Sequence, residues 1–280
     1  MSLVNVNVDD KDVNVNNKDI NVDNKTKIIA LFMDNVKNKE IIINKNTHCG
    51  SEGHWLETQM GINHNGRNEP DLFGYEMKKE SKKITFGDFS ASEYLFSVNK
   101  VDSIINKINN WNCIHIITRE QFIKYFGNKN SKKHNRYSWS GSCIPKYNNW
   151  NSCGQTLIFD DDNNLCIYYD HSKDIRPKDI NIPEFLQNGK ILIAIWKREK
   201  LEMHINKKFN KNGFFICKKN KQNTYQTICF GEPFNFNLFV DNIIIGNIYF
   251  DSGMYNGNNR NYSQFRSNLS FWNLLITETY

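Results

Sequence analysis

The chain has 280 residues, of which 39 % are hydrophobic and 13 % aromatic, enough apolar mass for one large domain or two small ones with a true core. The formal net charge of +6 and the pI of about 8.8 fit a polyanionic partner, because neutralising phosphates releases counterions; many proteins with no such partner share that balance. Seven cysteines, an odd number with no C-x-x-C pair and no signal peptide ahead of them, exclude a disulfide scaffold and point to reduced thiols in a cytoplasmic protein. No run reaches the length of a membrane span.

In chain order, residues 1–25 form a low-complexity Asn/Asp/Val/Lys tract with too little apolar mass to hold it in place, and are expected to be a disordered leader. Ile28, Ile29, Leu31, Phe32 and Val36 recur at helical spacing. A turn-rich stretch around Asn44, Lys45 and Asn46 leads to a short helix with Trp55, Leu56 and Glu57. His48, Cys49 and His54 lack a second ligand pair at zinc spacing. Residues 63–68 are a loop by composition, Pro70 ends it, and residues 72–78 read as a strand. A helix is expected over 92–106, with Tyr94, Leu95, Val98, Val101 and Ile105 on one side. Strands follow at 113–118 and 156–159, the latter paired with 165–169 across an Asp/Asn turn. Residues 191–196 read as a buried strand, 197–209 as a helix, 213–218 as a strand and 239–250 as a strand or pair of strands. A Gly/Asn loop at 253–261 and a closing element at 271–276 complete the chain. This irregular alternation predicts a mixed α/β (α+β) fold.

The segment from Pro70 to Lys78 carries the chemistry. On a strand, Glu76 and Lys78 project to one side. A bend at Asp71 can turn its carboxylate toward Glu76. Two converging carboxylates suit Mg²⁺, a hard ion that prefers oxygen and keeps several waters. A lysine beside such an ion can orient a water, and the ion stabilises charge developing on a phosphate. The same E-x-K triplet also occurs as a solvated edge-strand face, and a helix-surface carboxylate is the other reading of Glu57, whose spacing from Asp71 favours a place in the site.

With Glu57 on a helix ahead of Pro70-Asp71 and Glu76-Met77-Lys78, the chain resembles the MvaI/BcnI family of type II restriction endonucleases, PD-(D/E)xK nucleases with a MutH-like fold. A second block of resemblance runs through Gly246-Asn247-Ile248-Tyr249, Asp251-Ser252-Gly253-Met254-Tyr255 and Ser263-Gln264-Phe265-Arg266. The resemblance implies a central mixed sheet flanked by helices. It divides residues 26–280 into a catalytic part, about 26–110, and a recognition part, about 111–280. It makes Asp71 and Glu76 metal ligands with the Met77 carbonyl as a third, gives Lys78 the attacking water, and lets Glu57 act through a water or a second metal. The partner is duplex DNA, cut one strand at a time by a monomer at a short GC-containing site, with a DNA methyltransferase as genetic partner. A MutH-like repair nickase, or a DNA-binding protein that no longer cuts, are the rival readings.

Specific cutting also needs groups that reach base edges. Arginine matches guanine O6 and N7 in the major groove, and the resemblance implies that Arg266 faces the target as the leading base reader, with a phosphate clamp as its other reading. Arg260, Tyr255, His54, Arg67 and Lys146 are further DNA contacts on this view. The basic run 124–137 with interleaved tyrosines reads as a loop that tracks the backbone.

Overall fold

The computed structural model of the protein describes residues 17–42, 50–63, 68–177 and 180–280. In chain order the strands are β1 (Glu76–Lys79), β2 (Lys83–Asp88), β3 (Glu93–Tyr94), β4 (Asn128–Asn130), β5 (Arg136–Trp139), β6 (Cys153–Phe159), β7 (Leu165–Asp174), β8 (Lys190–Trp196), β9 (Phe214–Lys219), β10 (Tyr225–Gly231), β11 (Ile248–Asp251), β12 (Met254–Tyr255), β13 (Gln264–Asn268) and β14 (Ile276–Thr279). The helices are α1 (Asn17–Asn35), α2 (Ser51–Gln59), α3 (Ile104–Ile108), α4 (Arg119–Phe126), α5 (Arg198–Phe209), α6 (Phe236–Ile244) and α7 (Leu269–Leu274). The strands form four sheets, ordered β1-β9-β10-β14, β11-β13-β2, β12-β5-β4 and β3-β8-β7-β6. The fold is the mixed α/β arrangement expected from the sequence.

The first sheet positions the site. Strand β1 is its edge, pairing in parallel with β9 so that Glu76 lies opposite Phe214, Met77 opposite Phe215 and Lys78 opposite Ile216. Side chains alternate across a strand, and the two faces meet different layers. Met77, Phe215 and Cys217 face α1 and α2, joining Ile28, Phe32, Leu56 and Met60 in one core. Phe214 and Ile216 belong to the other, larger core with Phe209 of α5 and Trp272 of α7. Glu76 and Lys78 share that second face, and Lys78 Nζ lies 5.4 Å from the Phe209 ring centre. The larger core is aromatic: Phe86 of β2 meets Phe209, Phe234, Phe239, Phe271 and Trp272.

Several expected elements stand where the sequence puts them: the helices carrying Phe32 and Leu56, the β6–β7 hairpin, the buried strand β8, helix α5 and strand β9. Others do not. Helix α1 begins at Asn17, inside the stretch read as a leader, whose residues 1–16 lie outside the described residues; so does the turn-rich segment 43–49 with His48 and Cys49. Residues 72–78 are no single strand, because Phe73 and Gly74 take positive φ and turn the chain back. The helix expected over 92–106 is replaced by β3, a single 3-10 turn and the short α3. Residues 113–118 form no strand; Thr118 instead caps α4, its hydroxyl accepting from the Gln121 N–H while Gln121 Oε1 accepts from the Thr118 N–H. The stretch 239–250 is mostly helix α6, capped by the Asn235 side chain, with only β11 extended.

Candidate active site and nucleic-acid interface

Asp71 and Glu76 come together through a hairpin of minimum length. Leu72 and Tyr75 exchange both backbone hydrogen bonds, at 3.0 and 2.9 Å, around Phe73 (φ 48°) and Gly74 (φ 84°). A two-residue loop with both residues left-handed matches the twist of the flanking chains. It sets Asp71 across from Glu76. A bulky residue at positive φ is strained, and the strain is held from outside: Asn212 donates to the Phe73 carbonyl at 2.9 Å. A Cβ on Gly74 would come within 2.7 Å of that same Asn212 amide.

The open edge of β1 then fixes Asp71. Glu76 N–H donates to the Gly213 carbonyl and Glu80 N–H to the Cys217 carbonyl. Alternate residues of a strand point their backbone groups to opposite sides, so the Met77 N–H and C=O face the edge with no strand beside it. Asp71 Oδ2 accepts from that Met77 N–H at 2.9 Å. The Met77 carbonyl is therefore offered on the side where the Asp71 carboxylate lies.

Glu76 is almost wholly buried. Its Oε1 accepts from Lys78 Nζ at 2.6 Å and lies 3.1 Å from Lys208 Nζ. Its Oε2 is buried and has no hydrogen-bond partner. Burial pushes the Glu76 carboxyl above the usual range, with the Asp71 charge adding to it and Lys78 and Lys208 working against it. Burial likewise pulls Lys78 below the usual lysine value, opposed by Glu76. A buried carboxylate oxygen without a donor is costly, and it is the natural seat for a cation. Among the described residues no three His, Cys, Asp or Glu side chains gather into a metal-binding group. The oxygen donors here are two carboxylates and a carbonyl, a set that suits a hard divalent ion retaining waters rather than zinc.

Lys208 is the member that local sequence reading missed. It ends α5, where a Lys-Lys pair looks like an ordinary solvated helix terminus, and no nearby motif marks it. The fold gives it a purpose: Lys207 pairs with Glu69 at 2.8 Å, Lys208 reaches Glu76, and Asn212 holds Phe73. The end of α5 thus grips the whole hairpin.

Glu57 stands outside this cluster. It lies on α2 and pairs with His54 Nδ1 at 3.4 Å, while Leu56 beside it fills the core on the opposite face of the sheet from Glu76. The free edge of β1 lies between the two faces. Glu52, also on α2, bonds to Lys79 at 3.1 Å, to Tyr225 Oη at 2.8 Å and to Lys219, and docks the helix on the sheet.

The predicted base reader Arg266 sits on β13, half-buried beside Tyr249 and Asp251 of the paired strand β11. It donates to Gln264 Oε1, and its Nε lies 3.7 Å from Asp251 Oδ2. Arg266 Nε, Asp251 Oδ1 and Tyr249 Oη are all buried without a hydrogen-bond partner. One sheet face therefore concentrates donors and acceptors with capacity to spare. Arg260 is exposed on the loop that precedes β13, its guanidinium 4.8 Å from the Tyr262 ring centre. Tyr255 is covered by the Arg136 guanidinium at 3.5 Å. That contact joins the segment carrying Tyr255 to the basic run, since β12 pairs with β5 and residues 129–135 are exposed. Lys146 is exposed and lines a groove of about 820 Å³ with Lys83, Trp150 and Tyr249. Arg67 lies outside the described residues.

Hydrogen bonds connect the two ends of the interface. Ser263, just before β13, donates its N–H to Asp88 Oδ1 at 2.6 Å. The Asp88 carbonyl accepts from Asn68 at 3.4 Å, and Asn68 lies two residues before Pro70-Asp71.

Comparison with known proteins agrees with this architecture. The family model described as LlaMI restriction endonuclease matches residues 33–280. The chain is 38 % identical over 269 residues to the type II restriction enzyme ScrFI of Lactococcus lactis subsp. cremoris, a match covering 91 % of this chain and 97 % of that enzyme. Among solved structures, the complex of restriction endonuclease MvaI with its cognate DNA substrate superposes with a TM-score of 0.55 at 15 % identity, covering 93 % of this chain and 97 % of that one. At that identity the likeness speaks for the fold.

Proposed function

We propose the function that follows from one fact: this chain belongs to the LlaMI restriction endonuclease family and is a type II restriction endonuclease, a site-specific deoxyribonuclease. Its working centre is Asp71, Glu76, Lys78 and the Met77 carbonyl, with Mg²⁺ as the metal and Glu57 acting from α2 across the open edge of β1. The observation that carries this assignment is the buried Glu76 Oε2, which lacks a partner beside the Asp71 carboxylate and the edge-facing Met77 carbonyl.

When bound, a divalent ion at these oxygens lowers the pKa of a coordinated water and neutralises charge developing on the scissile phosphate. The chain's own groups do the rest. Lys78 Nζ, anchored on Glu76 Oε1, orients a water toward the phosphorus. Asp71 is held rigid by the Met77 N–H, so little ordering remains to be done when metal and substrate arrive.

Double-stranded DNA lies against the face carrying Arg266, Gln264 and Asp251, with Arg260 and Tyr255 beside it. Lys146, His54, Arg67 and the exposed lysines of 129–135 hold phosphates. An arginine as lead reader favours a guanine in the target, hence a short GC-containing site. One chain carries one such catalytic cluster among its described residues, and a monomer then nicks each strand in turn. In the cell a companion methyltransferase protects the host's own copies of the site.

A plasmid of known sequence, digested with Mg²⁺ and read at its ends, tests the reading. Cuts at one short sequence, abolished by EDTA and by Asp71→Ala or Glu76→Gln, are the expected result. An unchanged rate after Asp71→Ala, or after Lys78→Ala, removes the assignment.

A further inference from the structure

One side chain makes four hydrogen bonds to the loop between β12 and β13. Arg119, the first residue of α4, spends every guanidinium nitrogen on it. Its Nε donates to Asn261 Oδ1 at 2.8 Å and its Nη1 to the Asn258 carbonyl at 2.6 Å. Its Nη2 donates to Asn258 Oδ1 at 2.8 Å and to the Arg260 carbonyl at 2.7 Å. The side chain is only 15 % exposed, and its ion pair with Glu120, at 3.3 Å, is a minor addition.

Both ends of this arrangement differ sharply in rigidity. Arg119 starts from a helix closed by the reciprocal Thr118–Gln121 cap and fixed in the core by Phe122, Ile123 and Phe126. The loop between β12 and β13 has exposed residues at Gly257, Asn259, Arg260 and Asn261 and belongs to no sheet. Asn258 folds back within it, its Oδ1 accepting from the Tyr255 N–H at 3.3 Å. A planar fork with five donors in fixed directions determines the positions of several acceptors at once. Lysine, a point charge on a flexible stem, cannot.

We propose that Arg119 is a positioning residue for sequence readout: by clamping Asn258, Arg260 and Asn261 to the start of α4, it sets where the loop between β12 and β13 meets the bases. This rests on the reading that the loop and β13 face DNA. Arg119 itself touches no base. A readout group displaced by about 1 Å loses its hydrogen-bond geometry, so the consequence of losing the clamp falls on discrimination between sites rather than on the hydrolytic step.

The experiment compares wild type, Arg119→Ala, Arg119→Lys and Asn261→Ala. Each is given plasmid DNA of known sequence with Mg²⁺ and the cut ends are sequenced. Each is then titrated with Ca²⁺ in place of Mg²⁺ against a duplex containing the cut sequence and one with a single base pair changed. Arg119→Ala is expected to lower the ratio of cutting at the true site to cutting at one-mismatch sites by roughly tenfold or more, the size of one lost base-pair discrimination. Affinity for the mismatched duplex should stay within about twofold, because phosphate contacts carry it. Arg119→Lys should fail to restore the ratio, and Asn261→Ala, which removes one bond from an exposed partner, should lower it by about threefold.

A ratio unchanged in Arg119→Lys and Asn261→Ala overturns the inference, as does a fall in rate equal at all sites, which is what a mere structural staple gives. Those two mild substitutions decide the matter if Arg119→Ala does not fold. Wild-type protein that leaves plasmid DNA intact removes the nuclease reading, and this inference with it. Wild-type protein that cuts at one sequence, with variants equally selective, removes this inference alone.

Discussion

At the scale of single residues, the centre is defined by how the two oxygens of Glu76 differ. Oε1 is shared by Lys78 and Lys208, and Oε2 by none. A hydrogen bond between charged groups contributes about 1.5–3 kcal/mol, so Lys208→Met is expected to slow single-turnover plasmid nicking by roughly 10- to 100-fold. Stopped sampling of plasmid conversion on gels measures it, and a rate within threefold of wild type would leave Lys208 without a role. That Asp71, Glu76 and Lys78 lie together was legible in the sequence because they fall within eight residues of chain and strand alternation pairs two of them. Lys208 was not legible, since its contact depends on packing α5 across the sheet and nothing near it in sequence marks that use.

Among the elements, two attachments hold strand β1, which carries the proposed centre. The first is the hairpin at Phe73-Gly74. Gly74→Ala forces a Cβ toward Asn212 at an unfavourable φ, with an expected cost of about 1–3 kcal/mol in thermal unfolding and a larger relative loss of cutting, because Asp71 moves with the turn. The second is the docking of α2 through Glu52. Burial alone would raise the Glu52 pKa, but its bonds to Lys219, Tyr225 and Lys79 reverse this and hold it below the ordinary value of 4.5. A depressed carboxylate pKa stabilises the fold above 4.5, and that stabilisation disappears as pH falls through the lowered value. Glu52→Gln is therefore expected to lower Tm at pH 7 and to approach wild type as both are melted toward pH 3; a gap that stays constant with pH would refute it. Elements with a local signal were read correctly, as with the apolar run of β8. The helix expected at 92–106 failed because Glu93 and Tyr94 pair with Ile195 and Ala194, a distant partner outweighing helical spacing. In 239–250 the Asn235 cap and Gly246 were available signals, and apolar density masked them.

At the scale of the whole molecule, the proposed cutting and reading regions are joined by short links: Ser263 to Asp88, Asp88 to Asn68, and Asn68 to the hairpin that carries Asp71. If one chain works alone, supercoiled plasmid should pass through an open-circular form before becoming linear, and limiting enzyme should make that form accumulate. Direct conversion to linear product would instead require two centres acting together. Affinity should fall steeply with salt, since the phosphate grip depends on released counterions. The order of the first sheet bears on how the enzyme comes into being. Among the described residues strand β1 has β9 as its neighbour in that sheet, and Lys208, on α5, lies just ahead of the short turn that leads into β9. At 5–20 residues per second, a ribosome takes roughly 7–28 seconds to travel from the catalytic strand to the end of that neighbour. Throughout that interval the nascent chain carries its carboxylates without the scaffold that organises them. On the proposed assignment the centre is completed only late in synthesis, and chains cut short before β9 are expected to lack it.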